Sequence, residues 1–86
     1  MSAVSEIVAD NMRREKCFTV IWLDGWVLDH VGHLVNVKVD HPLNRMRAIF
    51  AHLERSPMFE KRRIRGMDSS GRDRIVRGFR LKKQYQ

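Results

Sequence analysis

The stretch FTVIWLDGWVLDHVGHLVNVKV, residues 18–39, decides the fold, because it carries two incompatible signals. In one reading a helix runs from about Val20 to Val31. Thr19 caps its N-terminus, Val20, Leu23, Val27 and Val31 face the core, and Gly32 stops it. In the other, Asp24-Gly25 between apolar, β-branched and aromatic residues is a type I′ hairpin turn. Further on, Val35, Val37 and Val39 alternate with Asn36 and Lys38, the pattern of a short strand. Trp22 and Trp26 share a face in either reading, as core residues or as anchors of a dimer contact. The stretch itself leaves both readings open.

Its neighbours are plainer. Ser2 to Lys16 predicts a helix: Val4, Ile7, Val8 and Met12 recur at helical spacing, Glu6 lies in the first turn, and Arg13, Arg14 and Lys16 lie in the last. Asp40 to Arg55 predicts a second, with Pro42 in its first turn and Asp40 or His41 as cap. Helical projection places Leu43, Met46, Ile49, Phe50 and Leu53 on an apolar stripe about 120° wide. Asn44, Ala48, Ala51 and Arg55 lie opposite, flanked by Arg45, Arg47 and His52. Ser56-Pro57 ends the helix.

Met58 to Arg65 and Arg74 to Leu81 predict the strands of a hairpin, joined by residues 66–73, with Asp68 and Gly71 at the ends of a turn. Ile75, Phe79 and Leu81 share one face of the second strand with Arg77; Arg74, Val76, Arg80 and Lys82 occupy the other. Residues 82–86 are expected to form a frayed basic tail.

Charge divides the chain sharply. Residues 1–60 hold seven Lys/Arg and eight Asp/Glu, whereas residues 61–86 hold ten Lys/Arg and two Asp/Glu, giving the overall net charge of +7. Most of the ten are arginine, whose planar fork pairs with phosphate oxygens in two-pronged fashion. Such density repels itself and points to a polyanionic partner. The length of 86 residues suits one domain, and 43% hydrophobic residues suit a folded one. No apolar run reaches the ~18 residues of a membrane span, and the basic segment lacks an apolar helical stripe, so no membrane partner is expected. The absence of a signal-peptide pattern and the lone Cys17 predict a cytoplasmic location.

The segment from Asn44 to Leu81 resembles the back half of a winged helix-turn-helix DNA-binding domain. RMRAIFAHLERSPMFEKRRIRG, residues 45–66, is similar to a recognition helix running into the first wing strand. MDSSGRDRIVRGFRL, residues 67–81, is similar to the wing tip and returning strand. The resemblance implies an α+β fold of three helices plus a C-terminal β-hairpin wing, with Ser2–Lys16 as first helix and the region of Val20–Val31 as second. That favours the helical reading of residues 18–31. An extra strand around Val35–Val39 would absorb the length between Gly32 and His41. The alternative order is helix, Asp24-Gly25 hairpin, helix, C-terminal hairpin.

The resemblance also implies sequence-directed binding of duplex DNA, with the third helix in the major groove. The residue chemistry fits. Asn44, Arg45, Arg47 and Arg55 supply hydrogen-bonding groups, and Ala48 and Ala51 keep the middle of that face small. Arg45 or Arg47 would grip a guanine, Asn44 an adenine. Arg63, Arg65, Arg72, Arg74 and Arg77 would serve as phosphate contacts. The expected role is a regulator or accessory architectural factor, of a phage or mobile-element kind, forming a homodimer when bound. Two competing readings are a module that docks its basic hairpin on an acidic protein and an RNA-binding accessory protein. His30, His33, His41, His52 and Cys17 lack the paired spacing of a structural zinc site. No catalytic triad, phosphate-binding glycine loop or activated cysteine is recognisable. Neither enzyme activity nor a cofactor or metal is therefore expected.

Overall fold

Residues 18–39 form a short strand followed by a helix, so neither reading of that stretch holds whole. In the computed structural model, which describes residues 3–67 and 70–86, the chain runs α1 (Ala3–Glu15), β1 (Thr19–Ile21), α2 (Gly25–Val31), a 3-10 turn (Gly32–Leu34), α3 (Pro42–Arg55), β2 (Phe59–Met67), β3 (Asp73–Leu81) and a last 3-10 turn (Lys83–Tyr85). The fold is α+β, with three α-helices and one antiparallel sheet in the order β1-β3-β2.

Val20, expected on a helix, is the buried middle residue of β1 and pairs with Phe79 of β3. Thr19 is a strand residue, not a cap. Asp24-Gly25 makes no hairpin, because Asp24 begins α2 instead. Its carbonyl accepts the amides of Val27 and Leu28 at 3.2 and 3.3 Å, while its carboxylate turns back to accept the amide of Ile21 at 3.2 Å. Aspartate suits both a turn and a helix start, so the dipeptide is an ambiguous signal. Left-handed residues bracket the strand: Lys16 (φ 57°) ends α1, with the Cys17 amide donating to the Met12 carbonyl at 3.1 Å, and Leu23 (φ 64°) leads into α2. Glycine usually fills such positions, so no sequence signal marks them.

α2 ends at Val31 with Gly32 as its cap, where the helical reading placed the stop, and the right-handed Gly32 (φ −56°) leads the chain on into the 3-10 turn. The expected strand at Val35–Val39 is absent, and Val35 is buried while Val39 is 65% exposed. Two of its carbonyls are occupied by α3 side chains: Val35 accepts from Arg45 and Val39 from Asn44. A strand needs a ladder partner, and this segment meets side chains instead.

The core joins Val4, Val8 and Met12 of α1, Val20 of β1, Val27 and Val31 of α2, Met46, Ile49, Phe50 and Leu53 of α3, and Phe59, Phe79 and Leu81 of the hairpin. Ile7 and Leu43, both assigned to apolar stripes, lie at the margin, each 37% exposed. The N-terminus of α3 is capped by His41, whose Nδ1 accepts the Leu43 amide at 3.1 Å. At its other end the Ser56 hydroxyl accepts the Met58 amide at 3.3 Å and turns the chain into β2. Gly78 sits in the central strand where an added Cβ would strike the Val20 carbonyl and come within 2.6 Å of Ile64 Cδ1. Only glycine lets β1 approach β3 so closely.

Residues 82–86 are held rather than frayed. The Arg13 Nε donates to the Tyr85 carbonyl at 2.6 Å, the Gln86 side-chain amide donates to the Leu81 carbonyl at 2.7 Å, and Tyr85 packs against the core. Ser2, Asp68 and Ser69 lie outside the described residues, and with them the expected turn from Asp68 to Gly71. No helix among the described residues is long and apolar enough to cross a membrane.

Candidate nucleic-acid interface

The register of the hairpin sorts its charges. Residues directly opposite one another across a sheet share a face, and faces alternate along a strand. Phe59 pairs with Leu81, Lys61 with Phe79, Arg63 with Arg77 and Arg65 with Ile75. Phe79 and Leu81 are buried under the helices, so Lys61, Arg63, Arg65 and Arg77 lie on that same helix-side face. The reverse face carries Ile64 and Val76, with Glu60 opposite Arg80 and hydrogen-bonded to Arg62 at 2.8 Å. Glu60 is accordingly held below the usual carboxylate range, chiefly by Arg62.

Between the helix-side face and α3 runs a groove of about 400 Å³, lined by Arg47, Phe50, Ala51 and Glu54 of the helix, Lys61, Arg62, Arg63, Arg77, Gly78 and Phe79 of the hairpin, and Trp22. Its floor is aromatic. The Phe50 ring meets Trp22 edge-on at 5.1 Å and Phe79 edge-on at 5.0 Å. The Arg77 guanidinium lies over the Trp22 ring, 4.6 Å from its centre, and the Trp22 amide donates to the Arg77 carbonyl at 2.9 Å. This packing fixes Arg77 while leaving its charge exposed.

At one end Glu54 pairs with Lys61 at 2.6 Å, and the hydrogen bond from Lys61 lowers the carboxyl's pKa. That pair neutralises the groove's own carboxylate. None of the ion pairs among the described residues involves Arg47, Arg55, Arg63 or Arg65. Arg63 faces Arg77 directly across the ladder, an arrangement of like charges that weakens a sheet.

The eleven residues singled out from sequence divide into four groups. Arg47, Ala51, Arg63 and Arg77 meet in the groove. Arg55 is exposed at the C-terminal turn of α3 and Arg65 farther along the hairpin, while Ala48 is partly buried against the core. Arg72 and Arg74 are exposed near the tip of the hairpin, where both have interaction partners. Asn44 and Arg45, expected to read bases, instead fasten the loop before α3. The Asn44 amide donates to the Val39 carbonyl at 3.1 Å. Arg45 donates to Asp40 at 2.7 Å, to the Gly32 carbonyl and to the Val35 carbonyl at 3.3 Å. Asp40 is driven below its ordinary pKa by Arg45, and Arg45 above its own by Asp40.

Sequence reasoning missed Trp22, Lys61 and Arg62 as groove residues. Trp22 was paired with Trp26, yet Trp26 lies on α2 with its ring 5.9 Å from His30. A cation–π partner drawn from a strand 55 positions away has no local signal. Lys61 was visible only as one member of a basic run.

No protein-family model, characterised protein or solved structure matches the chain. Geometry alone therefore carries what the groove can do. Among the described residues no group of three or more histidine, cysteine or acidic side chains converges to hold a metal ion. His30 instead donates from Nδ1 to the Trp26 carbonyl at 2.7 Å. The arrangement offers cationic forks along an open channel, a geometry suited to phosphate oxygens.

Proposed function

We propose that the protein binds duplex DNA as a small winged-helix-like module, acting as a regulator or accessory architectural factor. The observation that carries this reading is that Arg47 and Ala51 of α3 line the same groove as Lys61, Arg63 and Arg77 of the hairpin. Helix flank and ribbon thus present one cationic surface. The order helix, strand, helix, helix, strand, strand and the β1-β3-β2 sheet support the winged-helix-like assignment.

In this reading α3 enters the major groove with Arg47 as its base-reading arginine. Arg63, Arg65 and Arg77, with Arg72 and Arg74 nearer the hairpin tip, engage phosphates and set orientation. Like-charged Arg63 and Arg77 burden the free sheet; a phosphate between them would convert repulsion to attraction.

Retardation of duplex DNA across a salt series tests the proposal. The logarithm of affinity should fall with the logarithm of salt at a slope of about −4 to −7, from roughly five to eight phosphate contacts. A flat response, or no retardation at low salt, overturns it. Retention of an acidic protein after nuclease treatment, with no duplex binding, would instead favour the protein-docking module.

A further inference from the structure

The aromatic floor of the groove is not needed to grip phosphates. Trp22, Phe50 and Phe79 line it together with the cations, and the exposed Arg77 is seated on the Trp22 ring. Phosphate oxygens are served by guanidinium edges, and a paired duplex offers base edges in its grooves while the base faces stay closed in the stack. A floor of ring and guanidinium faces matches a ligand that carries a flat π-face and a negative charge on one unit. An unstacked nucleotide is such a unit, and a positively charged groove furnished with aromatic and arginine planes is the usual means of holding it. The volume of about 400 Å³ falls within the range of sites that enclose a small molecule. The Glu54 carboxylate in the groove is bound to Lys61 at 2.6 Å, and Arg62 is held by Glu60 at 2.8 Å. Arg47, Arg63 and Arg77 enter none of the ion pairs among the described residues.

We propose that the groove holds one extrahelical nucleotide of a bound duplex, its base against the Trp22–Arg77 stack and its phosphate between Arg63 and Arg77. The inference rests on the duplex-binding reading above and names the kind of duplex that fits: one with an unpaired base. A single guanidinium serves both parts of the nucleotide, since its face stacks while its edge donates to phosphate oxygens. Drawing a base out of the stack costs free energy, and the cost is least where the base is already unpaired. A groove of this kind therefore selects bulged or mismatched duplexes over fully paired ones.

The test uses two duplexes of equal length and charge, each with one extra residue at the centre of one strand. In the first the extra residue is deoxyadenosine; in the second it is abasic, with the same sugar and phosphate but no base. In a mobility shift the protein should bind the first at least about fivefold more tightly, the lower end of what stacking one base supplies. Arg77→Lys keeps the charge and removes the plane, so that ratio should fall toward one; a uniform loss of phosphate affinity does not move it. Equal binding of both duplexes by the parent protein overturns the inference and leaves the duplex-binding reading intact. A ratio that persists in a folded Arg77→Lys variant seats the base elsewhere and also overturns it. A single strand bound more tightly than either duplex assigns the groove to single strands and overturns both readings. Failure to retard either duplex at low salt defeats the duplex-binding reading, and the inference falls with it.

Discussion

Arg45 and Arg47 stand two residues apart on one helix and have opposite fates. Arg45 turns toward the loop between α2 and α3, where Asp40 and two backbone carbonyls take up its guanidinium. Arg47 turns toward the hairpin and lines the groove with no ion-pair partner among the described residues. Half a helical turn separates a structural fastener from an open cation. The difference teaches that the role of an arginine follows from whether unsatisfied carbonyls lie within its reach. The loop at residues 35–41 forms no ladder, so its carbonyls recruit side chains. The hairpin satisfies its own backbone, and Arg63 and Arg65 enter none of the ion pairs among the described residues.

Exchanging the two residues in turn gives the sharpest test. Arg45→Ala removes the side-chain donor to the Gly32 and Val35 carbonyls and the partner of Asp40, and it should lower the thermal midpoint on the order of 5 °C or more. Arg47→Ala should leave the midpoint nearly unchanged yet weaken duplex binding about tenfold in a sequence-dependent way. Scanning calorimetry and a mobility shift on both variants check the contrast. If both lose stability alike, the division between them is wrong.

Next in size is Arg63→Thr, which removes one member of the like-charged pair with Arg77. Threonine suits a strand, so unfolding in urea should show a gain of about 0.2–0.5 kcal/mol. Duplex affinity should meanwhile drop severalfold for every sequence, with a shallower salt slope. Loss of both stability and binding would mean that Arg63 supports the fold.

A smaller effect should be seen at Trp22. In a Trp26→Phe background, duplex binding should alter the fluorescence of Trp22, because phosphates drawn to Arg77 change the charge above the indole ring. Arg77→Gln should remove most of that response. An unaltered emission spectrum at saturating duplex would place the ligand elsewhere.

Acid should produce the smallest change. Asp40, Glu54 and Glu60 all have pKa values lowered by cationic neighbours. A carboxyl whose folded pKa is depressed lends stability above its unfolded value, near 4, and loses it as pH falls through the folded value. The thermal midpoint should therefore be level from neutrality to about pH 5 and then decline. All three pairs are exposed, so the decline should be shallow and should flatten further in high salt.

What could be read from sequence follows the same division. α3 was legible from the spacing of Met46, Ile49, Phe50 and Leu53 and from the Ser56-Pro57 stop, and the hairpin from alternation and turn formers. Each is specified by residues near one another in the chain. β1 was not legible, because three residues within an apolar run leave no periodicity to detect. Its turns are made by Lys16 and Leu23 in conformations that glycine normally marks. Asp24-Gly25 and the Val35–Val39 alternation misled, since each is a local signal that needs a tertiary partner the fold does not supply. The site divides likewise. Sequence located the charge, but the engagement of Arg45 and the seat of Arg77 on Trp22 depend on contacts across the whole chain.

The missing side chain at position 78 has an implication for descent. Charges on a ribbon drift readily, and a loop can lengthen without disturbing the sheet, but no residue bearing a Cβ fits above the Val20 carbonyl. Among sequences too far diverged to align, kinship would be sought in a glycine just ahead of the phenylalanine that seals the core, on the returning arm of a basic hairpin.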